Sequence, residues 1–220
     1  MKKRVILDCD PGHDDAFGII LACKNLDVLG ITTIGGNCSL ENVSKNALKI
    51  LEVLKQDDIE VYAGCYRPLV APLVTAPQFH GETGLDLKDG RLLPEPKRSV
   101  NQKHAIDFIV ETCLKEKDLT IIATGPLTNI AMALDKEPKI IEHIKEISIM
   151  GGSVTFGNWT PTAEFNIFVD PEAANRVFNS GVHIKMSGLN LTRQCLLTQE
   201  HIKEFRKINN DVANLAADLT

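Results

Sequence analysis

Short apolar runs recur at residues 5–7, 28–34, 59–63, 119–123, 147–150 and 182–186, and each ends in small or polar residues. Runs of this length with little polar alternation read as strands covered on both faces, as in parallel sheets. Between them, residues 14–25, 39–54 and 101–117 space their apolar side chains at the helical period. Further helices are expected after Thr128 or Asn129, either of which can serve as a cap, and after Thr198 in TQEHIKEF. Another runs from the Asp170-Pro171 start signal to Ser180 and is stopped by Gly181. Strand and helix alternate without a repeat or linker, which predicts a single α/β domain over residues 1–220. Its expected architecture is an open, mostly parallel, doubly wound Rossmann-like sheet with helices on both faces. Residues 64–100 break the pattern with five prolines and no sustained period. A structureless stretch of that length is usually functional or disordered.

Polar residues concentrate behind the first strand. In VILDCDPGHDDA, residues 5–16, four carboxylates (Asp8, Asp10, Asp14 and Asp15) lie within eight residues, and Pro11-Gly12 must break the strand among them. The C-terminal ends of strands are where open parallel sheets bind ligands. Like charges this close require shared protons or a cation. Oxygen donors with no histidine or cysteine pair at ligand spacing point to Ca2+ or Mg2+ rather than Zn2+, with Ca2+ preferred. Capping of the next helix would account for Asp14 or Asp15 alone. It does not account for Asp8 and Asp10, which precede the turn.

With 220 residues and 44% apolar content the chain can bury a full α/β core, and no apolar run approaches a membrane span. The opening MKKRVILDCDP has three apolar residues before Asp8, too few for a signal peptide, so a cytoplasmic protein is expected. Six scattered cysteines with no CxxC pair suit reduced thiols rather than a disulfide framework. A formal charge of -5 with no basic cluster beyond KKR argues against a nucleic-acid partner and favours a small molecule.

LDCDPGHDDA resembles the N-terminal signature of the inosine-uridine preferring nucleoside hydrolases, enzymes that cut the N-glycosidic bond of ribonucleosides using bound Ca2+. ITTIGGN (31–37), HGETGL (80–85), ATGPLTNIAMAL (123–134), IMGGSV (149–154) and GNWTPTAEFNIFVDPEAA (157–174) are similar to later blocks of that family, in the same order. Glycine-rich fragments are weak signals singly, but their ordered combination is specific. The resemblance implies the family's α/β sheet, a ribonucleoside substrate, a role in nucleoside catabolism and salvage, and a homo-oligomer, dimer or tetramer. It also implies that Asp10 and Asp15 bind Ca2+ through their side chains and Thr124 through its backbone carbonyl, which leaves the threonine side chain almost irrelevant. Asp10 would be the general base, and Asp14 would accept from a ribose hydroxyl. Asn37, Asn158, Glu164 and Asn166 match positions that contact the ribose or the reacting water, while His80 and Phe165 match base-side positions. Trp159 would stack on a base or cover the site, and His13 has no ligating role. Asp8, two residues from Asp10 on the same strand face, is expected to support the loop or the residues that hold the metal. The wording of LDCDPGHDDA and HGETGLD is closest to pyrimidine-preferring members.

Family members continue past the point that corresponds to Thr220, with a histidine used in base contacts and an adjacent aspartate that completes the Ca2+ site. Neither occurs in these residues, and His201 has no aspartate beside it, so a C-terminally incomplete, impaired hydrolase is expected. One alternative is a Ca2+- and ribose-binding fragment of that fold without turnover. Another is a haloacid-dehalogenase-type phosphatase with Asp8 as nucleophile, against which stand Gly12 and the unused pair Asp14-Asp15.

Overall fold

A computed structural model describes residues 2–220. The first half of the chain forms β1 (Arg4–Cys9), α1 (His13–Asn25), β2 (Asp27–Thr33), α2 (Leu40–Val53) and β3 (Val61–Ala63). A short α3 (Pro77–His80) interrupts the long loop, and α4 (Ala105–Lys115), β4 (Leu119–Ala123), α5 (Thr128–Lys136) and β5 (Ile144–Met150) follow. Then come α6 (Phe165–Val169), α7 (Pro171–Phe178), β6 (Ile184–Ser187), α8 (Leu189–Thr192), α9 (Gln199–Ile208) and α10 (Asp211–Asp218).

The six strands lie in the order β3-β2-β1-β4-β5-β6, and every neighbouring pair is parallel. The expected mostly parallel sheet is therefore wholly parallel among the described residues. Chain order reverses between β1 and β4, so the crevice beyond their C-terminal ends is the topological switch point where such sheets bind ligands. Asp10 follows β1 there and Thr124 follows β4.

Buried β1 side chains alternate between two cores. Ile6 packs with Ile121, Ile147 and residues of α4, α5 and α7, whereas Leu7 and Cys9 pack with Ile31, Val61 and residues of α1, α2 and α10. This is the doubly wound arrangement that the uninterrupted apolar runs predict, and it directs Asp8 toward the α5 side.

Several start signals work as the pattern predicts. Ser39 accepts from Asn42 N at the head of α2, and Asp170 accepts from Ala173 N at the head of α7. The start of α5 differs: neither Thr128 nor Asn129 caps it, and the N-cap is Leu127. Thr128 Oγ1 instead donates to Asp170 Oδ2 at 2.6 Å, and the Asn129 carboxamide serves β1 and β2. Both residues are buried, where a partner from a distant segment replaces the local cap.

The long loop is ordered by its own polar contacts. Asp86 accepts from Glu82 N at 3.0 Å, Thr83 N at 3.1 Å and the Thr83 hydroxyl, while Leu85 and Leu87 reach the core beside α1 and α2. His201 sits exposed in the capping box that opens α9, paired with Thr198, which gives it a structural place. All six cysteines are free, and among the described residues no helix is long and apolar enough to cross a membrane.

Candidate active site

The loop after β1 turns two carboxylates inward. Asp10 is fully buried and Asp15 nearly so, because Gly12 ends the extended segment and starts α1, which places Asp15 in the first turn. Asp15 Oδ2 accepts from Gly12 N at 3.1 Å, so this aspartate is also a helix cap, and its Oδ1 accepts from Thr124 Oγ1 at 2.5 Å. The threonine side chain is thus in use, which corrects the expectation that only its carbonyl matters. Asp10 Oδ2 accepts from Asn37 N at 2.7 Å. Asp10 Oδ1 is buried with no hydrogen-bond partner.

Glycines make room for this carboxylate. A Cβ on Gly36 would lie 2.1 Å from Asp10 Oδ2, and one on Gly125 would lie 2.5 Å from Asp10 Oδ1. ITTIGGN and ATGPLT therefore supply walls of bare backbone around Asp10. Burial first, and then the neighbouring Asp15 charge, holds the Asp10 carboxyl well above its ordinary range. Burial with repulsion from Asp14 raises Asp15 to about 8.

In front of this pair lies a cavity of about 260 Å³. Asp14, Asn37, His80 and Thr124 line it from the first half of the switch point. Asn158, Glu164, Phe165 and Asn166 line it from the segment after β5. Every residue expected at the substrate therefore faces one space, although residues from 14 to 166 contribute. Asn166 Nδ2 donates to the carbonyls of Thr124 at 2.8 Å and Met150 at 3.1 Å, which ties the α6 segment to the ends of β4 and β5. Glu164 Oε2 accepts from Gly152 N at 2.9 Å and from Ile167 N at the head of α6, and burial raises its pKa. Asn158 Oδ1 accepts from Phe165 N at 2.9 Å.

The apolar wall contains residues that the sequence pattern does not single out. Ala76, Phe79 and Met150 join Trp159 and Phe165, whose rings are tilted with centroids 4.9 Å apart. Met150 could have been found from its place at the end of β5, because strand ends face the crevice. Phe79 lies beside His80 in a stretch with no period to place it. His80 Nδ1 accepts from the backbone N–H of His13 at 3.3 Å, which leaves Nε2 as the ring's donor, and burial lowers its pKa.

Asp8 does not reach the cavity. It is fully buried, and its Oδ1 accepts from Thr32 Oγ1 at 2.5 Å and Asn129 Nδ2 at 2.9 Å. These bonds tie Asp8 to β2 and α5 rather than to the cavity, a supporting place in the sheet and not a nucleophile's, which speaks against the phosphatase alternative.

Among the described residues no three His, Cys, Asp or Glu side chains converge as a metal cage. The two carboxylates, one of them with its Oδ1 unpartnered, and the Thr124 backbone carbonyl nevertheless make an all-oxygen donor set of the kind that suits a hard divalent cation. Asp10, Asp15 and the Thr124 carbonyl would hold it, and other oxygens would complete its usual six to eight.

Comparison with known proteins identifies the family. The family described as inosine-uridine preferring nucleoside hydrolase matches residues 5–220. The pyrimidine-specific ribonucleoside hydrolase RihA of Photobacterium profundum is 46% identical over 222 residues, spanning 100% of this chain and 71% of its own length. Its counterpart from Escherichia coli O81 is 44% identical, with 100% of this chain and 70% of the relative covered. Among solved structures, the purine-preferring ribonucleoside hydrolase from Gardnerella vaginalis superposes with a TM-score of 0.92 at 35% identity, covering 99% of this chain and 71% of that one. A plant nucleoside hydrolase superposes with a TM-score of 0.93 at 34% identity, covering 100% and 70%.

Proposed function

This chain belongs to the inosine-uridine preferring nucleoside hydrolase family, and from that premise we propose a hydrolase that splits pyrimidine ribonucleosides into ribose and free base, with Asp10 as general base and Ca2+ as cofactor. The observation that carries this reading is the buried Asp10–Asp15 pair bonded to Asn37 and Thr124, two residues that line a cavity of both donors and acceptors. When bound, the cation would offset the repulsion between Asp10 and Asp15 and make water at the site more acidic.

The chain's own residues account for the rest. Water adds to the anomeric carbon while its proton passes to Asp10 Oδ1, and the carbon–nitrogen bond breaks with its electron pair leaving on the base, which takes up a proton from solvent to become the free base. Such cleavage passes through an oxocarbenium-like ribose. Asp14 and Glu164 accept from ribose hydroxyls, and Asn37 and Asn166 hold the carboxylate loop and the Thr124 carbonyl in place. On the base side, Phe165 and Trp159 offer aromatic surface, and the neutral His80 ring offers a donor. Pyrimidine preference rests on the names of the relatives at 46% and 44% identity.

The test is ribose release from uridine, cytidine, inosine and adenosine in the presence of Ca2+. Higher kcat/KM for uridine and cytidine is expected. A clear inosine preference would refute the pyrimidine assignment, and absence of ribose from all four would refute hydrolysis.

A further inference from the structure

We propose that Asn46 is a positioning residue that sets the His80 loop against the carboxylate loop and so tunes the base-side half of the cavity. Asn46 lies on α2, is buried, and does not line the cavity. Its Nδ2 donates to the Pro11 carbonyl at 3.1 Å and to the Thr83 carbonyl at 2.7 Å. Pro11 directly follows Asp10, and Thr83 lies three residues after His80, so one carboxamide joins the two loops. Gly84, at φ +86°, allows the approach, because a Cβ there would lie 2.9 Å from Asn46 Nδ2. One turn earlier on α2, Asn42 Nδ2 donates to the Glu82 carbonyl at 3.2 Å, so this helix seats the whole 82–83 turn.

Asp10 and Asp15 have donors of their own besides that seat. Their carboxylates are held by Asn37, Gly12 and Thr124. Loss of the Asn46 amide hydrogens therefore removes the direct tie between the Thr83 turn and the Pro11 carbonyl, and lets the His80 side of the cavity shift while the carboxylate pair keeps its own donors. Both hydrogens of the amide are used, and leucine strips both while leaving two carbonyls without a partner.

The proposal rests on the reading that His80 faces the departing base, and a pair of substrates separates the two. Uridine needs help with its leaving group; p-nitrophenyl β-riboside carries the same sugar on a leaving group that departs unaided. Asn46→Leu should lower kcat/KM for uridine by about 10²-fold, the usual scale for a displaced contact, and for the riboside by no more than about three-fold. Ca2+ affinity measured by calorimetry should stay within about three-fold. Asn46→Gln should shift the ratio of the two substrates in the same direction, and it decides by the same criterion if Asn46→Leu does not fold. Equal losses on both substrates in a folded variant, or no loss on uridine, would overturn the proposal. His80→Ala is run alongside. If it leaves the substrate ratio unchanged, the base-side reading of His80 fails and takes the proposal with it; if it shifts the ratio while the Asn46 variants do not, only the role of Asn46 fails.

Discussion

The backbone N–H of Asn37 donates to Asp10 Oδ2 at 2.7 Å, and the Asn37 side-chain amide returns to the Asp10 carbonyl at 3.0 Å. One residue thus fixes both the carboxylate and the backbone of Asp10, while Oδ1 has no hydrogen-bond partner. Asn37→Ala removes only the side-chain half. The stranded Asp10 carbonyl should cost about 1–3 kcal/mol of stability. Misplacement of the carboxylate should cut kcat/KM for uridine by about 10²-fold. Thermal melts and ribose assays check the two effects separately, and an active, destabilised variant would show that Asn37 serves the loop alone.

Asp10 and Asp8 should respond differently to the same change. Asp10→Asn removes the proton acceptor and one anionic ligand, so Ca2+ binding and ribose release should both fall below detection. Asp8→Asn keeps an oxygen that can accept from Thr32 and Asn129, and activity should remain within about ten-fold of wild type. Calorimetric Ca2+ titration of both variants is the measurement. Equal Ca2+ affinity in wild type and Asp10→Asn would sink the metal assignment.

Gly36 tests the bare walls around Asp10. Alanine there places Cβ 2.1 Å from Asp10 Oδ2, so the carboxylate must move. Overpacking of this kind should cost about 1–3 kcal/mol and remove most of the activity. A Gly36→Ala protein with normal kcat would mean that the carboxylate can shift without consequence.

The buried carboxylates make stability depend on pH. Burial raises Asp8 to about 6, and burial with Asp14 repulsion raises Asp15 to about 8, against an ordinary 3.8. Between those values the folded state holds more protons than the unfolded chain, so stability is full below the ordinary value and is lost as pH rises through the raised ones. Protein stripped of divalent ions should therefore melt lower at about pH 8 than at about pH 5, and Ca2+ should recover more of the Tm at the higher pH. Calorimetry at both pH values, with and without Ca2+, decides; the reverse order in chelator-treated protein would contradict the assignment.

Glu164 separates packing from binding. Glu164→Ala loses the bonds from Gly152 N and Ile167 N and should cost about 1 kcal/mol, as for other helix caps. Glu164→Gln can keep those acceptor contacts but loses the charge, so its Tm should hold while KM for uridine rises. A glutamine variant with wild-type KM would confine Glu164 to capping.

Much of the fold was legible in the residues alone. Uninterrupted apolar runs located six strands, although β6, at the sheet edge, is half-buried to exposed rather than covered on both faces, and Ser39, Asp170-Pro171 and Thr198 marked helix starts, because capping and periodicity act over a few neighbouring positions. The location of the carboxylates at a strand end followed from Pro11-Gly12 for the same local reason. Tertiary structure decided what those neighbours cannot. It put Asp14, Asn37, His80 and Glu164 around one space, gave the Thr124 hydroxyl to Asp15, and turned Thr128 and Asn129 from caps into links between segments. A polar residue on a helix looks the same in sequence whether it meets water or a buried carbonyl, as Asn46 does. Which of these it meets depends on strand order and loop path, and both are set by the packing of residues far apart in the chain.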